Sequence, residues 1–477
     1  MNILFVASEC SPFVKTGGLA DVIGSVPKAL EQLDHTIKIL LPAYPELKGW
    51  LKHGDVLLEM EELFGGPARV LAVRAKGLNL LLLDAPHLYD RNGSIYLDEE
   101  GFDWEDNPIR FGALSLIGAK IGLDGIGGWK PDIVHAHDWQ AGLVPVYMKQ
   151  SGRQAPPSIM TIHNIAFQGL FDGGVVETLG LSHDMFNPDG FEYWGHAGFL
   201  KGGLAYADKI TTVSPTYAHE LLTPEFGMGL EGLLKSRKSD LIGILNGIDL
   251  SVWDPQEDPA LSKTYSPKSL KRKVANRQWL EQEFGLVSNP EAPLFGLVSR
   301  LTTQKGVDLL LEILPTIIER GARLVVLGAG DKKFEEAFTQ AASSSPDHIG
   351  VKVGYSEDLA HSIQGGADAI LVPSRFEPCG LTQLYGLRYG TIPVVAHTGG
   401  LADTVIDANA AALATKCATG IQFAPTTVEA LELAIHRTCD LFLDSKRWKT
   451  MMRRAMTQEV GWNLSAELYA DLYESLV

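Results

Sequence analysis

Short apolar runs bounded by Gly, Pro or Asp recur along the whole chain, and helix-length amphipathic stretches separate many of them. They include Asn2 to Ser8, Ile37 to Leu41, Leu78 to Leu83, Ile133 to Ala136, Ile159 to Ile162 and Ile210 to Val213. Further on come Leu294 to Val298, Leu324 to Leu327, Val351 to Val353, Ile370 to Val372 and Pro393 to Ala396. A strand with one wet face alternates apolar and polar residues; these runs are continuous, so both faces must be covered. A parallel sheet with helices on either side meets that condition, and the expected class is α/β, doubly wound.

One hexapeptide organises the chain. Thr16-Gly17-Gly18-Leu19-Ala20-Asp21 recurs letter for letter as Thr398-Gly399-Gly400-Leu401-Ala402-Asp403, each copy after a strand-like run and at the start of a helix-like one. Two similar α/β halves are expected. Turn signals at Asn246-Gly247-Ile248-Asp249 and Trp253-Asp254-Pro255 place the boundary between residues 243 and 256. The expected domains are 1–243 and 244–456, followed by a C-terminal helix within 457–477 for which the first domain is one packing partner. In that helix Leu468, Leu472 and Leu476 stand at helical spacing with Tyr469 and Tyr473 beside them, which predicts one buried stripe. Ser262 to Gln282 is polar and strongly basic, and reads as an exposed helix.

Composition narrows the class of partner. The 477 residues are 45% apolar and 21% charged, with 49 Gly and 25 Pro, which excludes disorder, collagen and coiled coil. The formal net charge of −17 repels polyanions. It argues against nucleic acid or an anionic membrane surface and leaves a neutral polymer as a partner. A small anionic ligand would need a local cluster of cations. Cys10, Cys379, Cys417 and Cys439 form no CxxC pair, so neither a disulfide framework nor a zinc site is indicated, and a reducing compartment is the simpler reading. The N-terminus has no basic region ahead of its apolar run, and no stretch approaches about 18 apolar residues. The expectation is a soluble, cytoplasmic protein.

Four segments carry candidate chemistry, and strand ends of two α/β halves would bring them to a shared cleft. Lys15-Thr16-Gly17-Gly18-Leu19 is a Gly-rich turn whose amides and cation could face phosphate, or a plain tight turn; it is neither a Walker A sequence nor GxGxxG. Ser299 to Gly306 places Arg300 and Lys305 on a strand-end loop, where they either hold a diphosphate or are solvated surface cations. Pro373 to Gln383 carries Glu377 just before a helix expected to begin near Gly380; the carboxylate could orient sugar hydroxyls or merely cap the helix. His135-Ala136-His137-Asp138-Trp139 and Thr161-Ile162-His163-Asn164 read better as polar cleft lining than as a metal site, since no carboxylate triad accompanies them. No Asp-x-Asp occurs, so a divalent ion on a nucleotide diphosphate lacks its usual ligands.

Together, Lys15 to Asp21, His135 to Trp139, Ser299 to Gly306 and Arg375 to Leu387 resemble the bacterial glycogen synthases, which are similar to plant starch synthases, over essentially the whole chain and in the same order. The resemblance implies a GT-B fold, two Rossmann-like doubly wound domains with a deep interdomain cleft. It implies glucose transfer from ADP-glucose to the non-reducing end of an α-1,4-glucan with retention, and no metal or cofactor. Lys15, Arg300 and Lys305 match positions that hold the diphosphate, with backbone donors from Gly18, Gly380, Leu381 and Thr382. Glu377 matches the carboxylate that meets the sugar, with Cys379 and Asn246 nearby. Tyr355 matches a position packing on adenine, His163 and Asp138 line the side of the reacting carbon, and Asp21 lies in the donor loop.

One departure stands out. Retaining GT-B enzymes often carry a second acid eight positions after the first, and here that position is Tyr385, which leaves the ribose contact unassigned. An α-linked donor and product suit a front-face displacement, in which the departing diphosphate takes the acceptor proton and the cations stabilise its charge. The halves are expected to close about a hinge near Asn246 to Asp254. Competing readings are a phosphorylase or hydrolase, a non-catalytic glucan-binding protein, and a nicotinamide dehydrogenase, the last disfavoured by the missing GxGxxG.

Overall fold

The computed structural model describes residues 1–477, in which the chain forms two units, Met1–Asn246 with Trp462–Val477, and Gly247–Gly461. Each apolar run noted above becomes a strand. In the first unit a nine-stranded sheet runs, edge to edge, Leu241–Gly243, Lys209–Thr212, Ser158–Ile162, Ile133–His137, Asn2–Val6, Thr36–Pro42, Leu78–Asp84, Ala68–Ala75, Asp55–Met60. The last two strands pair antiparallel and the others are parallel. Ile3, Leu4, Phe5 and Val6 are fully buried at its centre, each contributing roughly 1.5–3 kcal/mol by leaving water. A small antiparallel sheet of Leu170–Asp172, His196–Gly198 and Glu192–Tyr193 lies apart from it in the hydrogen-bonding pattern.

The second unit holds an all-parallel sheet in the order Ile349–Val353, Arg323–Gly328, Leu294–Val298, Ala369–Val372, Ile392–Ala396, Ile421–Phe423. The first strand in sequence, Leu294–Val298, sits in the middle, and the order reverses beside it. No helix is long and apolar enough to cross a membrane. None of the four cysteines forms a disulfide.

Two expectations are corrected. The basic segment Ser262 to Gln282 is not an exposed helix: the helix is Lys273–Glu283, and Lys273, Asn276, Arg277, Leu280 and Glu281 are buried. Lys273 Nζ donates to the carbonyls of Gln364 (3.1 Å) and Gly365 (2.8 Å) and to Thr391 Oγ1 (2.7 Å). Those carbonyls end the helix Glu357–Gly366, where a cation suits both the orphan acceptors and the negative end of the dipole. Arg277 ion-pairs with Asp368 (2.7 Å) and Glu281 (3.0 Å) and donates to the Asn289 and Ala292 carbonyls.

The C-terminal helix, Asn463–Glu474, buries the Tyr469, Leu472 and Tyr473 part of the expected stripe but leaves Leu468 out of it. Leu468 and Leu464 are exposed, while Ala466, Tyr469, Leu472 and Tyr473 are buried. Tyr469 and Tyr473 win that face because their rings cover more area and the Tyr473 hydroxyl has an internal partner in His135, 2.8 Å away. Tyr469 packs its ring at 5.7 Å from the same imidazole.

Candidate active site

Strand order decides which loops meet. In an open parallel sheet the crevice forms where two neighbouring strands send their connections to opposite faces. In the second unit this occurs between Leu294–Val298 and Ala369–Val372, so the loops from Ser299 and from Pro373 become neighbours. Gly306 has φ +68°, and a Cβ there would lie 1.9 Å from the Pro373 carbonyl oxygen, so only glycine permits the approach. Across this contact Lys305 Nζ reaches Glu377 Oε2 at 2.6 Å, and Ser374 Oγ donates to the same oxygen at 2.8 Å. Glu377 is only 7% exposed. The predicted cation and carboxylate therefore form one ion pair.

Arg375 fastens the two loops: its guanidinium clasps Asp308 with two bonds of 2.7 Å and donates to the Thr303 carbonyl. Arg300 is exposed on the same loop as Lys305. The second copy of the hexapeptide lies under Glu377. A Cβ on Gly399 (φ +44°) would fall 2.0 Å from the Glu377 carbonyl oxygen, and one on Gly400 would fall 2.3 Å from that of Cys379. Cys379 is buried, Gly380 takes φ +73°, and Leu381 leads into the helix Thr382–Tyr389, so that helix starts two residues later than expected. Tyr355 follows Gly354 (φ +123°) and is exposed. Tyr385, at the position of the missing acid, stacks on Trp253 at 3.6 Å, and His361 covers the other face of that indole at 3.7 Å.

In the first unit the switch lies between Asn2–Val6 and Ile133–His137. The loop after Asn2–Val6 is built around Glu9, a carboxylate only 3% exposed. It accepts the Thr16 amide (2.6 Å), the Thr16 hydroxyl (2.7 Å), the Gly17 amide (3.2 Å) and the Tyr96 hydroxyl (2.7 Å). Lys15 pairs with Asp21 at 2.8 Å. A Cβ on Gly17 or Gly18 would meet nothing within 4 Å. The two copies of the hexapeptide thus differ: the later glycines are required by the protein's own packing, while the earlier pair keeps open space above bare backbone.

Beside this loop Asp138 adopts φ +55°, a rare backbone for a non-glycine residue. It accepts the His163 amide at 2.8 Å. Burial pushes its carboxyl up to about 7, against the pull of the His163 and Asn164 amides and with help from the Glu9 charge. His163 is nearly buried and 3.1 Å from His137, and burial lowers its imidazole to about 3, which keeps it neutral. Asn246 is 9% exposed, and its side-chain oxygen is buried without a partner.

His135 corrects the expectation of cleft lining. It is fully buried, held by Tyr473 and by Thr161 Oγ1 (2.6 Å), and burial lowers it to about 3. His135 and His137 stack at 4.2 Å, and no group of three or more possible metal ligands forms. Glu9 and Tyr96 were not singled out from the sequence. The available signal was the question of which group satisfies the amides of a Gly-rich turn.

Residues 2–236 match the starch synthase catalytic domain family and residues 280–453 the glycosyl transferases group 1 family. A glycogen synthase of Roseobacter denitrificans is 61% identical over 477 residues, covering 100% of both chains. The chain belongs to the glycogen synthase family. Glycogen synthase 1 of Rhizobium meliloti is 54% identical, covering 100% of this chain and 99% of that one. Among solved structures, the catalytic domain of starch synthase IV from Arabidopsis thaliana, bound to ADP and acarbose, superposes with a TM-score of 0.89 at 31% identity, covering 99% and 98% of the two chains. A sucrose-phosphate synthase from Thermosynechococcus elongatus, 17% identical with a TM-score of 0.61 over 100% and 98% of the two chains, shares the fold. The fold is that of the GT-B glycosyltransferases, and the chain is a glycosyltransferase.

Proposed function

We propose that this chain transfers glucose from ADP-glucose to the non-reducing end of an α-1,4-glucan with retention, releasing ADP, in cytoplasmic glycogen synthesis. The observation that carries the reading is the Lys305–Glu377 pair at the switch point of the second unit, with Arg300 exposed on the same loop. Cations gathered there in a chain of net charge −17 suit an anionic donor that the overall field would otherwise repel. The glucan- and ADP-related names of the relatives agree with it.

In this reading the second unit binds the sugar nucleotide and the first presents the acceptor. Arg300 and Lys305 hold the diphosphate and stabilise the charge that grows on it as the glycosidic bond breaks. Glu377, fixed by Lys305 and Ser374, accepts bonds from the donor's sugar hydroxyls. Gly380, Leu381 and Thr382 add amides at a helix start, and Tyr355 packs on the adenine. Cys379 keeps the Glu377 loop narrow from its buried position. From the first unit, the open backbone at Gly17 and Gly18 admits a phosphate to close range, Lys15 adds a charge, and Asp21 orients that lysine. Asn246 offers its unpartnered oxygen to a sugar hydroxyl. Neutral His163 and half-buried Asp138 line the reacting carbon. The acceptor hydroxyl attacks on the face the diphosphate leaves, and its proton passes to a departing phosphate oxygen, so neither a protein base nor a glycosyl-enzyme is needed.

Transfer of labelled glucose to glycogen from ADP-glucose, with UDP-glucose in competition, tests the reading. The expected result is α-1,4 extension with stoichiometric ADP, and a turnover loss of roughly a hundredfold or more in Arg300→Ala. Phosphate-dependent release of glucose 1-phosphate, or near-normal turnover in the variant, would overturn it.

A further inference from the structure

The backbone just ahead of the helix Thr382–Tyr389 has its carbonyls gathered on one side. The buried Gly400 amide donates to the carbonyls of Glu377 and Pro378, both at 3.1 Å. Gln383 Nε2 donates to those of Cys379 and Gly380, both at 2.9 Å. Successive carbonyls alternate in an extended chain, and the left-handed backbone of Gly380, φ +73°, lets the last two face a single donor. Four carbonyls in a row, from Glu377 to Gly380, are thus held toward the protein interior.

The amides answer to this arrangement. The peptide bonds on either side of Gly380 are trans, and in a planar trans peptide the N–H points opposite to the C=O. Holding the Cys379 carbonyl inward therefore aims the Gly380 amide outward, and holding the Gly380 carbonyl does the same for the Leu381 amide. Gly380, Leu381 and Thr382 are partly exposed, and their amides make no hydrogen bond within the protein. They stand beside the Lys305–Glu377 pair, since a Cβ on Gly380 would lie 3.1 Å from Glu377 Cγ.

Gln383, the residue that turns these two peptides, is fully buried and bonded at one end only. Its Nε2 has a third acceptor in Thr404 Oγ1 at 3.2 Å, whose own hydrogen goes to the Gly400 carbonyl at 2.6 Å. Its Oε1 is buried without a partner. Interchanging the two ends would set Oε1 against three oxygens with no hydrogen among them, so the orientation is fixed. A buried oxygen left unpaired destabilises the fold, which a Leu or Met filling the same space would avoid. The side chain is there for its two hydrogens.

We propose that Gln383 is a positioning residue that aims the Gly380 and Leu381 amides at the phosphate bearing the donor sugar. The proposal rests on the sugar-nucleotide reading above. In that reading Glu377 meets the sugar, so amides beside Glu377 face the phosphate bonded to it rather than the one next to the ribose. ADP retains that distal phosphate after transfer, and AMP lacks it.

Calorimetry of the full chain with ADP and with AMP reads the effect. Gln383→Met keeps the length of the side chain and removes both hydrogens. Its Kd for ADP should rise about tenfold, the scale of misdirected hydrogen bonds to a charged oxygen, while Kd for AMP stays within about twofold. Gln383→Asn keeps the amide but shortens its reach, and should show the same selective loss. A merely structural role would weaken the two nucleotides alike. In the wild type, hydrogen exchange at residues 380–382 should slow with ADP and not with AMP, a readout that does not depend on how well either variant folds. Unchanged ADP affinity in both variants, equal weakening of ADP and AMP, or exchange at 380–382 that ADP leaves unaltered would overturn the proposal. A wild type that binds neither nucleotide sinks the sugar-nucleotide reading along with it, whereas normal wild-type binding with insensitive variants sinks the proposal alone.

Discussion

Replacing Lys305 by Met separates what the Lys305–Glu377 pair does for the fold from what it does for transfer. At 2.6 Å and an effective dielectric of about 20, the gross attraction is roughly 6 kcal/mol. Desolvation of both ions offsets most of it, so the pair's net contribution is small, but removing one member leaves the other buried and unbalanced. The Glu377 side chain is 9% exposed and keeps only the Ser374 hydroxyl, which places the expected loss at about 3 kcal/mol. Glu377→Gln in the same background removes the stranded charge, so the double variant should regain most of that stability. Activity should behave differently: turnover should fall a hundredfold or more in Lys305→Met and stay low in the double variant, because charge developing on the leaving diphosphate has lost its cation. Urea denaturation, with the second unit's transition fitted separately, and steady-state transfer supply the two readouts. A double variant as unstable as Lys305→Met, or a single variant with near-normal turnover, would refute the reasoning.

Two other substitutions probe the first unit. Asp138 has its carboxyl raised from 3.8 to about 7, so the native state binds that proton more tightly than the unfolded chain, and stability contributed by the protonated form is lost as pH rises from about 4 through 7. Asp138→Asn should therefore be more stable than wild type at pH 8 by about 2 kcal/mol, the full shift discounted for its half-buried position, and show no gain at pH 4; equal differences at both pH values would contradict the assignment. Glu9→Gln keeps the shape but removes the charge that holds the Thr16 and Gly17 amides, so KM for ADP-glucose should rise about tenfold while thermal stability of the second unit is unchanged; an unaltered KM would show that the loop does not depend on Glu9.

The strands were legible because a buried parallel strand must be apolar on both faces, and each continuous run from Asn2 to Ala396 lies in one. Asp55–Met60 and Ala68–Ala75 escaped notice because they form an antiparallel edge, where one face is wet and the run is broken by Glu59, Arg69 and Arg74. Strand order was not written in any local pattern. Lys305 and Glu377 are 72 residues apart and meet because the sheet reverses order between their strands, a property of the connections rather than of either loop. The basic segment misled for a related reason: Lys273 and Arg277 look like surface charges until the helix-end carbonyls and Asp368 they serve are in place. Identical hexapeptides had unlike surroundings, since a glycine demanded by a neighbouring carbonyl and a glycine beneath open space are the same letter.

The excursion of the chain into a second unit and back has a consequence for its birth on the ribosome. Residues 247–461 are contiguous and emerge together, whereas the first unit is completed only by the sixteen residues Trp462–Val477, which are made after the second unit. His135 meets its hydroxyl partner Tyr473 only across 338 residues of nascent chain. A chain broken off before Trp462 would thus carry a finished second unit attached to a first unit whose buried His135 lacks its hydroxyl partner, so a late interruption strikes the half of the molecule made first.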